Sequence, residues 1–215
     1  MHPLRPVRAM AAFALAALGL DSLVGIGAAW IDLQRGALID RYVTDPDSVR
    51  VTELEASDLT NYGVGITQIA VYLVAALLFL RWLYRVRANA EILSLEPHRH
   101  NRAWMTFGWF VPVICFWFPK QIVDDIWNAS DDRPPQYRSG LVWAWWVAWV
   151  IVVVGNTVVG RVLARSDDAA TLAMAARLDV ALVAVTVAAA GLAAAVVWKI
   201  TGFQEARRTS LARVP

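Results

Sequence analysis

Apolar residues come in long uncharged runs rather than in short alternating stretches, and the runs set the predicted elements. A helix that spans a bilayer needs about 20 mostly apolar residues. Four segments meet that requirement: Ala9–Ile31, interrupted by Asp21; Tyr62–Leu80, closed by Arg81; Ser139–Gly160, between Arg138 and Arg161; and Val180–Trp198, between Asp179 and Lys199. The Ala-rich stretch Ala169–Arg177 is built of good helix formers and extends the last helix out of the bilayer. The run after Arg5 and Arg8 outlasts a signal-peptide core, so it reads as an uncleaved first span. A fifth stretch, Ala103–Pro119, is uncharged but short, aromatic and broken by Pro112. Proline removes a helix hydrogen bond, and aromatic rings prefer headgroup depth to the bilayer centre.

Beyond Pro119 the polar and apolar positions separate at helical spacing. Ile122, Val123, Ile126 and Trp127 fall on one face, and Lys120, Gln121, Asp124, Asp125 and Asn128 on the other. Pro119 suits a first helical turn. Residues 103–130 therefore read as a re-entrant or interfacial hairpin that ends in an amphipathic helix. The fold class expected is an all-α polytopic membrane bundle, one domain over 1–215 with four spanning helices and this hairpin. Five spans is the alternative. Residues 32–61 are expected to be an external loop.

Arginine placement supports four spans. The tail before residue 9 carries Arg5 and Arg8; residues 81–102 carry Arg81, Arg85, Arg87, Arg99 and Arg102; the C-terminal tail carries Lys199, Arg207, Arg208 and Arg213. Residues 32–61 instead carry seven acids, Asp32, Asp40, Asp45, Asp47, Glu53, Glu55 and Asp58, against Arg35, Arg41 and Arg50. Basic loops stay cytoplasmic. In a cell-membrane protein both termini are therefore expected on the cytoplasmic side and 32–61 outside, and a fifth span would put the basic C-terminal tail on the wrong side.

Composition strengthens the membrane reading. The chain of 215 residues is 58% hydrophobic and 18% charged, with mean hydropathy +0.47 and 11 Trp. Soluble domains are about 45–50% apolar and about 25% charged. A net charge of +2 is too balanced for a nucleic-acid binder. The lone Cys115 leaves no intrachain disulfide.

Candidate chemistry is sparse. Asp21 lies within an apolar span, at an insertion cost of about 2.5–3.5 kcal/mol for a central Asp. Gln68 and Asn156, with Ser22, Thr67 and Thr157, are its possible polar neighbours, as a hydrogen-bonded cluster or as a proton or cation path. These positions stop in the outer half of the spans, which favours the structural reading. Asp124 and Asp125 lie about 100° apart on a helix and do not face one substrate. The expected role for Asp125 is an ion pair with Arg85 or Arg87 that docks the amphipathic helix on the second span. The five arginines of 81–102 serve as orientation determinants or as holders of anionic lipid headgroups. His98 and His100 lack a third ligand, and no metal or other cofactor is expected. Gly19, Gly25, Gly27, Gly155 and Gly160 are small faces for helix packing.

The block FGWFVPVICFWFPKQIVDDIWNASD, residues 107–131, resembles the signature of the actinobacterial "domain of unknown function 4328" family of multi-pass membrane proteins. The matching positions are GWFVP, with Trp109 and Pro112, and WFPKQIVDDIW, with Trp117, Phe118, Pro119, Lys120, Asp125, Ile126 and Trp127. WLYRVRANAE adds Trp82, Arg85, Arg87 and Asn89; RPVR at Arg5–Arg8 and the Trp-rich run Trp143–Trp149 also fit. Cys115 departs from the resemblance, which implies Asn there. The family brings no assigned activity. With no nucleophile elbow, phosphate loop or zinc-protease motif, the expected function is non-enzymatic, through lipid or a protein partner, including a second copy, at the cytoplasmic face. A small transporter or channel component is the alternative, and a membrane-embedded enzyme is the weakest reading.

Overall fold

The computed structural model describes residues 3–94, 96–132, 139–165 and 169–212, so Arg138 and Arg213 lie outside the described residues. Six α-helices occur, with no strand among the described residues: α1 (Arg8–Thr44), α2 (Val51–Leu93), α3 (Trp104–Phe107), α4 (Phe118–Ser130), α5 (Gly140–Arg165) and α6 (Ala169–Leu211). α1, α2, α5 and α6 are each long and apolar enough to cross a membrane. α1 packs against α2 and α6, and α6 against α5. α4 lies against α2, α5 and α6 and closes one end of the bundle.

The long helices exceed what the apolar runs alone require. At 1.5 Å per residue, the 43 residues of α2 extend about 65 Å, twice a hydrocarbon core of about 30 Å. Residues 32–61, read from the sequence as a loop, are helical except at the turn 45–50. α1 and α2 simply continue as a paired hairpin, joined by Arg35 to Asp58 at 2.8 Å and by Asn61 donating to Asp32 at 2.7 Å. A polar helix held by side-chain pairs has no apolar stripe to reveal it. α6 likewise runs on past Trp198 to Leu211.

The segment before α4 breaks where Pro112 stands. α3 is a single turn, and the backbone from Gly108 to Trp117 is held by local turns. Val113 takes φ 69° and ψ −54°, and the Ile114 N–H donates to the Pro112 carbonyl at 2.8 Å. That is a γ-turn of positive φ, a rare and strained geometry for a β-branched residue. Gly108 is required by close approach: a Cβ there would lie 2.5 Å from the Trp104 carbonyl oxygen. Of the five glycines expected at packing faces, Gly155 meets a facing helix, with Leu182 of α6 against it; nothing lies within 4 Å of a Cβ at Gly19, Gly27 or Gly160, and Gly25 has only Gln68 at 3.9 Å.

The core is concentrated at the end that α4 caps. Val7, Ala11 and Ala14, Trp82 to Ala90, Met105, Ile122 to Trp127, Val142 to Trp146 and Ala193 to Ile200 supply it. All four apolar residues expected on one face of α4, Ile122, Val123, Ile126 and Trp127, are buried in this core. Towards the hairpin end the helices expose Leu20, Leu23, Ile26, Ile69, Leu73 and Leu77.

Candidate functional site

The capped end is organised by polar side chains that are themselves buried. Asn89 of α2 is 1% exposed and clamps the N-terminal segment at two points: its Oδ1 accepts from the Arg5 N–H and its Nδ2 donates to the Arg5 carbonyl, both at 2.9 Å. The same Nδ2 donates to Gln204 Oε1 at 3.0 Å. Gln204, also 1% exposed, donates through Nε2 to the Val86 carbonyl and to Ser130 Oγ, each at 2.9 Å. One amide pair therefore ties together the N-terminal segment, α2, α4 and α6. Trp82 Nε1 donates to Thr201 Oγ1 at 3.1 Å, and Glu205 accepts from the Val7 N–H at 2.8 Å. Arg85 Nε donates to the Pro6 carbonyl at 3.3 Å. The RPVR segment is thus pinned by two helices. Thr201, Gln204, Glu205 and Ser130 were not among the residues expected to matter. The available signal was spacing: Val197, Ile200, Thr201 and Gln204 continue one helical face beyond the apolar run.

A second polar layer docks the arginine-rich loop on α4. Asp125 does not pair with Arg85 or Arg87. Its partner is Arg99, at 2.6 Å, with the Arg99 backbone N–H donating to the second carboxylate oxygen at 3.0 Å. Arg87 is claimed by Glu91 one turn along the same helix, at 2.9 Å, and by the His100 carbonyl at 2.8 Å. A partner four residues away on one helix face needs no further chain ordering, which is why it wins over one on α4. Arg102 also pairs with Glu91. His100 Nε2 lies 2.7 Å from Gln121 Oε1, and its ring stacks on Phe118 at 3.9 Å between centroids. Asp125→Arg alone should lower accumulation of folded protein, read by fluorescence size-exclusion of the tagged chain. Adding Arg99→Asp should restore it in part, since the swapped ion pair leaves the residue-99 backbone N–H without its carboxylate acceptor.

Acid should loosen this layer in two stages. Burial, then the Arg87 charge, holds His98 below its ordinary 6.5, against the smaller opposing pull of Asp125 and Glu91. The bond from Arg102, helped by Arg87, outweighs burial and holds the Glu91 carboxyl below its ordinary 4.5. A depressed pKa in the folded state means stability present above the unfolded value and lost as pH falls beneath it. The thermal midpoint should therefore decline first below pH 6.5 and again below pH 4.5. Glu91→Gln should shrink the second decline and leave the first; the remainder belongs to Glu205, where against burial the Val7 N–H and Arg208 hold the carboxyl below its ordinary 4.5.

Aromatic rings fill the space between α2, the broken segment and α5. Trp109 sits at their junction, with Phe79 at 5.8 Å and Trp149 at 5.6 Å in edge-to-face contact and Trp145 at 6.3 Å. Its Nε1 donates to the Met105 carbonyl at 2.9 Å. Trp146 stacks on Trp149 at 4.8 Å. Trp117 and Pro112 stay exposed.

Between α4 and α5 lies a groove of about 830 Å³. Glu96, Arg99, Lys120, Asp124, Asp125 and Asn128 form its polar rim, and Trp143, Trp146, Val147, Val150 and Ile151 of α5 its apolar floor. Lys120 pairs with Asp124 at 2.6 Å and stands over the Trp143 ring at 5.2 Å.

The polar residues of the apolar runs form no hydrogen-bonded cluster among the described residues. Asp21 is half-buried on α1 with Tyr72 of α2 as its electrostatic neighbour, whereas Gln68 and Asn156 are exposed. Ser22, Thr67 and Thr157 bond back to carbonyls of their own helices, at 2.9, 2.9 and 2.7 Å. Among the described residues no hydrogen bond joins Asp21, Gln68 and Asn156.

Four membrane-length helices closed at one end by a docked, proline-broken aromatic segment define an all-helical class with span-like helices. The family described as "Domain of unknown function (DUF4328)" matches residues 45–202, most of the chain, and the chain belongs to that family. The match takes in the groove, Asn89, Trp109 and α4, and begins beyond the RPVR segment. No curated protein and no solved structure matches the chain.

Proposed function

We propose that the chain is an integral membrane protein, with both termini and α4 on the cytoplasmic side, that acts without catalysis by holding a lipid in the groove between α4 and α5. The membrane reading is supported by uncovered apolar surface: within the most apolar window of each long helix only 11–22% is buried by the protein itself. Exposed apolar area on that scale needs a non-aqueous surrounding. Sidedness follows the basic residues, which gather at the capped end and are outnumbered by acids at the hairpin end. The Arg-rich, Ala-rich composition suits an actinobacterial source.

One observation carries the lipid reading. The groove floor continues along α5 as an exposed stripe, Trp143, Val147, Ile151, Val154 and Val158, spaced three or four residues apart. From Trp143 to Val154 the stripe climbs about 16 Å, one leaflet of a hydrocarbon core about 30 Å thick. A polar rim at one end and an apolar track one leaflet long match a headgroup and an acyl chain. The arginines are less available for anionic lipid than their number suggests, since Arg87, Arg99 and Arg102 are held by Glu91 and Asp125. Arg5, Arg8 and Arg81 remain exposed.

Val147→Trp tests this reading, because Val147 is 41% exposed and a larger side chain there obstructs the floor without entering the buried core. Purified wild type should retain phospholipid through detergent exchange, seen by native mass spectrometry, and the variant should lose it. Equal retention by both, or none by either, contradicts the proposal.

A further inference from the structure

We infer that the groove selects a phospholipid whose headgroup carries a primary ammonium over one that is purely anionic. The inference rests on the lipid-holding reading and adds to it the identity of the headgroup. The rim carries three carboxylates, Glu96, Asp124 and Asp125, against two cations, Arg99 and Lys120. Both cations are already matched, Arg99 by Asp125 and Lys120 by Asp124, each at 2.6 Å. The Glu96 carboxylate has no partner among the described residues; only its backbone N–H is bonded, to Ser94 Oγ at 3.2 Å. Among the described residues the rim is therefore left with one open negative charge, on the exposed Glu96.

A zwitterionic headgroup carries a chemical complement to both kinds of group on the rim. Its ammonium meets the free Glu96 carboxylate as a charge-assisted hydrogen bond. Its phosphate takes a remaining Lys120 donor, since an ammonium has three and the Asp124 contact uses one, and the exposed amide of Asn128 borders the same groove. An anionic glycerol headgroup brings the phosphate without the ammonium. It adds a negative charge beside three carboxylates, and like charges brought together disfavour the complex. A quaternary choline carries the positive charge but no N–H to donate to Glu96. Affinity should follow the order ethanolamine, choline, glycerol.

The full chain is reconstituted in nanodiscs holding equal amounts of phosphatidylethanolamine, phosphatidylcholine and phosphatidylglycerol, then released and analysed for bound lipid by native mass spectrometry. Ethanolamine lipid should be enriched about fivefold over glycerol lipid, the discrimination one partly exposed ion pair supplies. Glu96→Gln should abolish the enrichment, and Glu96→Asp should keep it. Equal or greater retention of phosphatidylglycerol by the wild type, or an unchanged preference in Glu96→Gln, overturns the headgroup inference and leaves the lipid-holding reading standing. Absence of retained phospholipid of any kind overturns both.

Discussion

Replacing Asn89 with Ala should be the most damaging change of a polar side chain at the capped end. The substitution removes three hydrogen bonds at once, to the Arg5 N–H, the Arg5 carbonyl and Gln204 Oε1. A buried polar group left without a partner costs about 1–3 kcal/mol, and Gln204 is such a group, so the total is on the order of 3 kcal/mol. The loss has a spatial signature. The segment before α1 should become accessible to protease first, because Asn89 holds both backbone polar groups of Arg5, its N–H and its carbonyl. Gln204→Leu should weaken the contact of α4 with α6 instead, through loss of its bond to Ser130. Asn89→Ala showing an unchanged thermal midpoint in detergent and an unchanged N-terminal cleavage rate would contradict this assignment.

Trp109→Ala should come next. The indole joins Phe79 on α2 to Trp145 and Trp149 on α5, and it is the largest ring in the broken segment to do so. Truncating a packed Trp costs about 3–5 kcal/mol, and partial exposure of this one puts the expectation near the lower figure. Trp109→Phe should be much milder: it keeps ring contacts and forfeits the bond to the Met105 carbonyl, about 1 kcal/mol. The two substitutions together separate packing from hydrogen bonding. Thermal unfolding followed by tryptophan emission measures both, and equal effects of Ala and Phe would remove the packing account.

What the sequence disclosed was what local pattern can disclose. The four apolar runs, the break at Pro112 and the buried face of α4 all depend on residues near one another in the chain. The positions singled out around Trp82, Asn89 and Trp109 also gather at one end. Their partners could not be read in advance. Asn89 and Gln204 are separated by 115 residues, and no spacing rule links them. Asp125 faces Arg99 rather than Arg87 because Arg87 has a nearer carboxylate on its own helix, a competition that composition does not reveal. The helical extension over 32–61 was hidden for a different reason: a solvated helix pair held by Arg35–Asp58 and Asp32–Asn61 has no periodic apolar face. Asp21, Gln68 and Asn156 look alike in sequence as polar residues in apolar runs, yet they stand on three different helices, and among the described residues no hydrogen bond joins them.

The central claim is that residues 103–130 cap the bundle from one side and do not cross the membrane. Cysteine labelling in intact cells and in inverted vesicles measures this directly. Cys115 is the sole native cysteine, so Cys115→Ser gives a clean background for single cysteines at Glu96, Asn128 and Asp47, all exposed. A membrane-impermeant maleimide should reach positions 96 and 128 in inverted vesicles only, and position 47 in intact cells only. Labelling of position 128 from the same side as position 47 would mean that the aromatic segment spans the bilayer, and would contradict the capped four-span arrangement together with the cytoplasmic groove built on it.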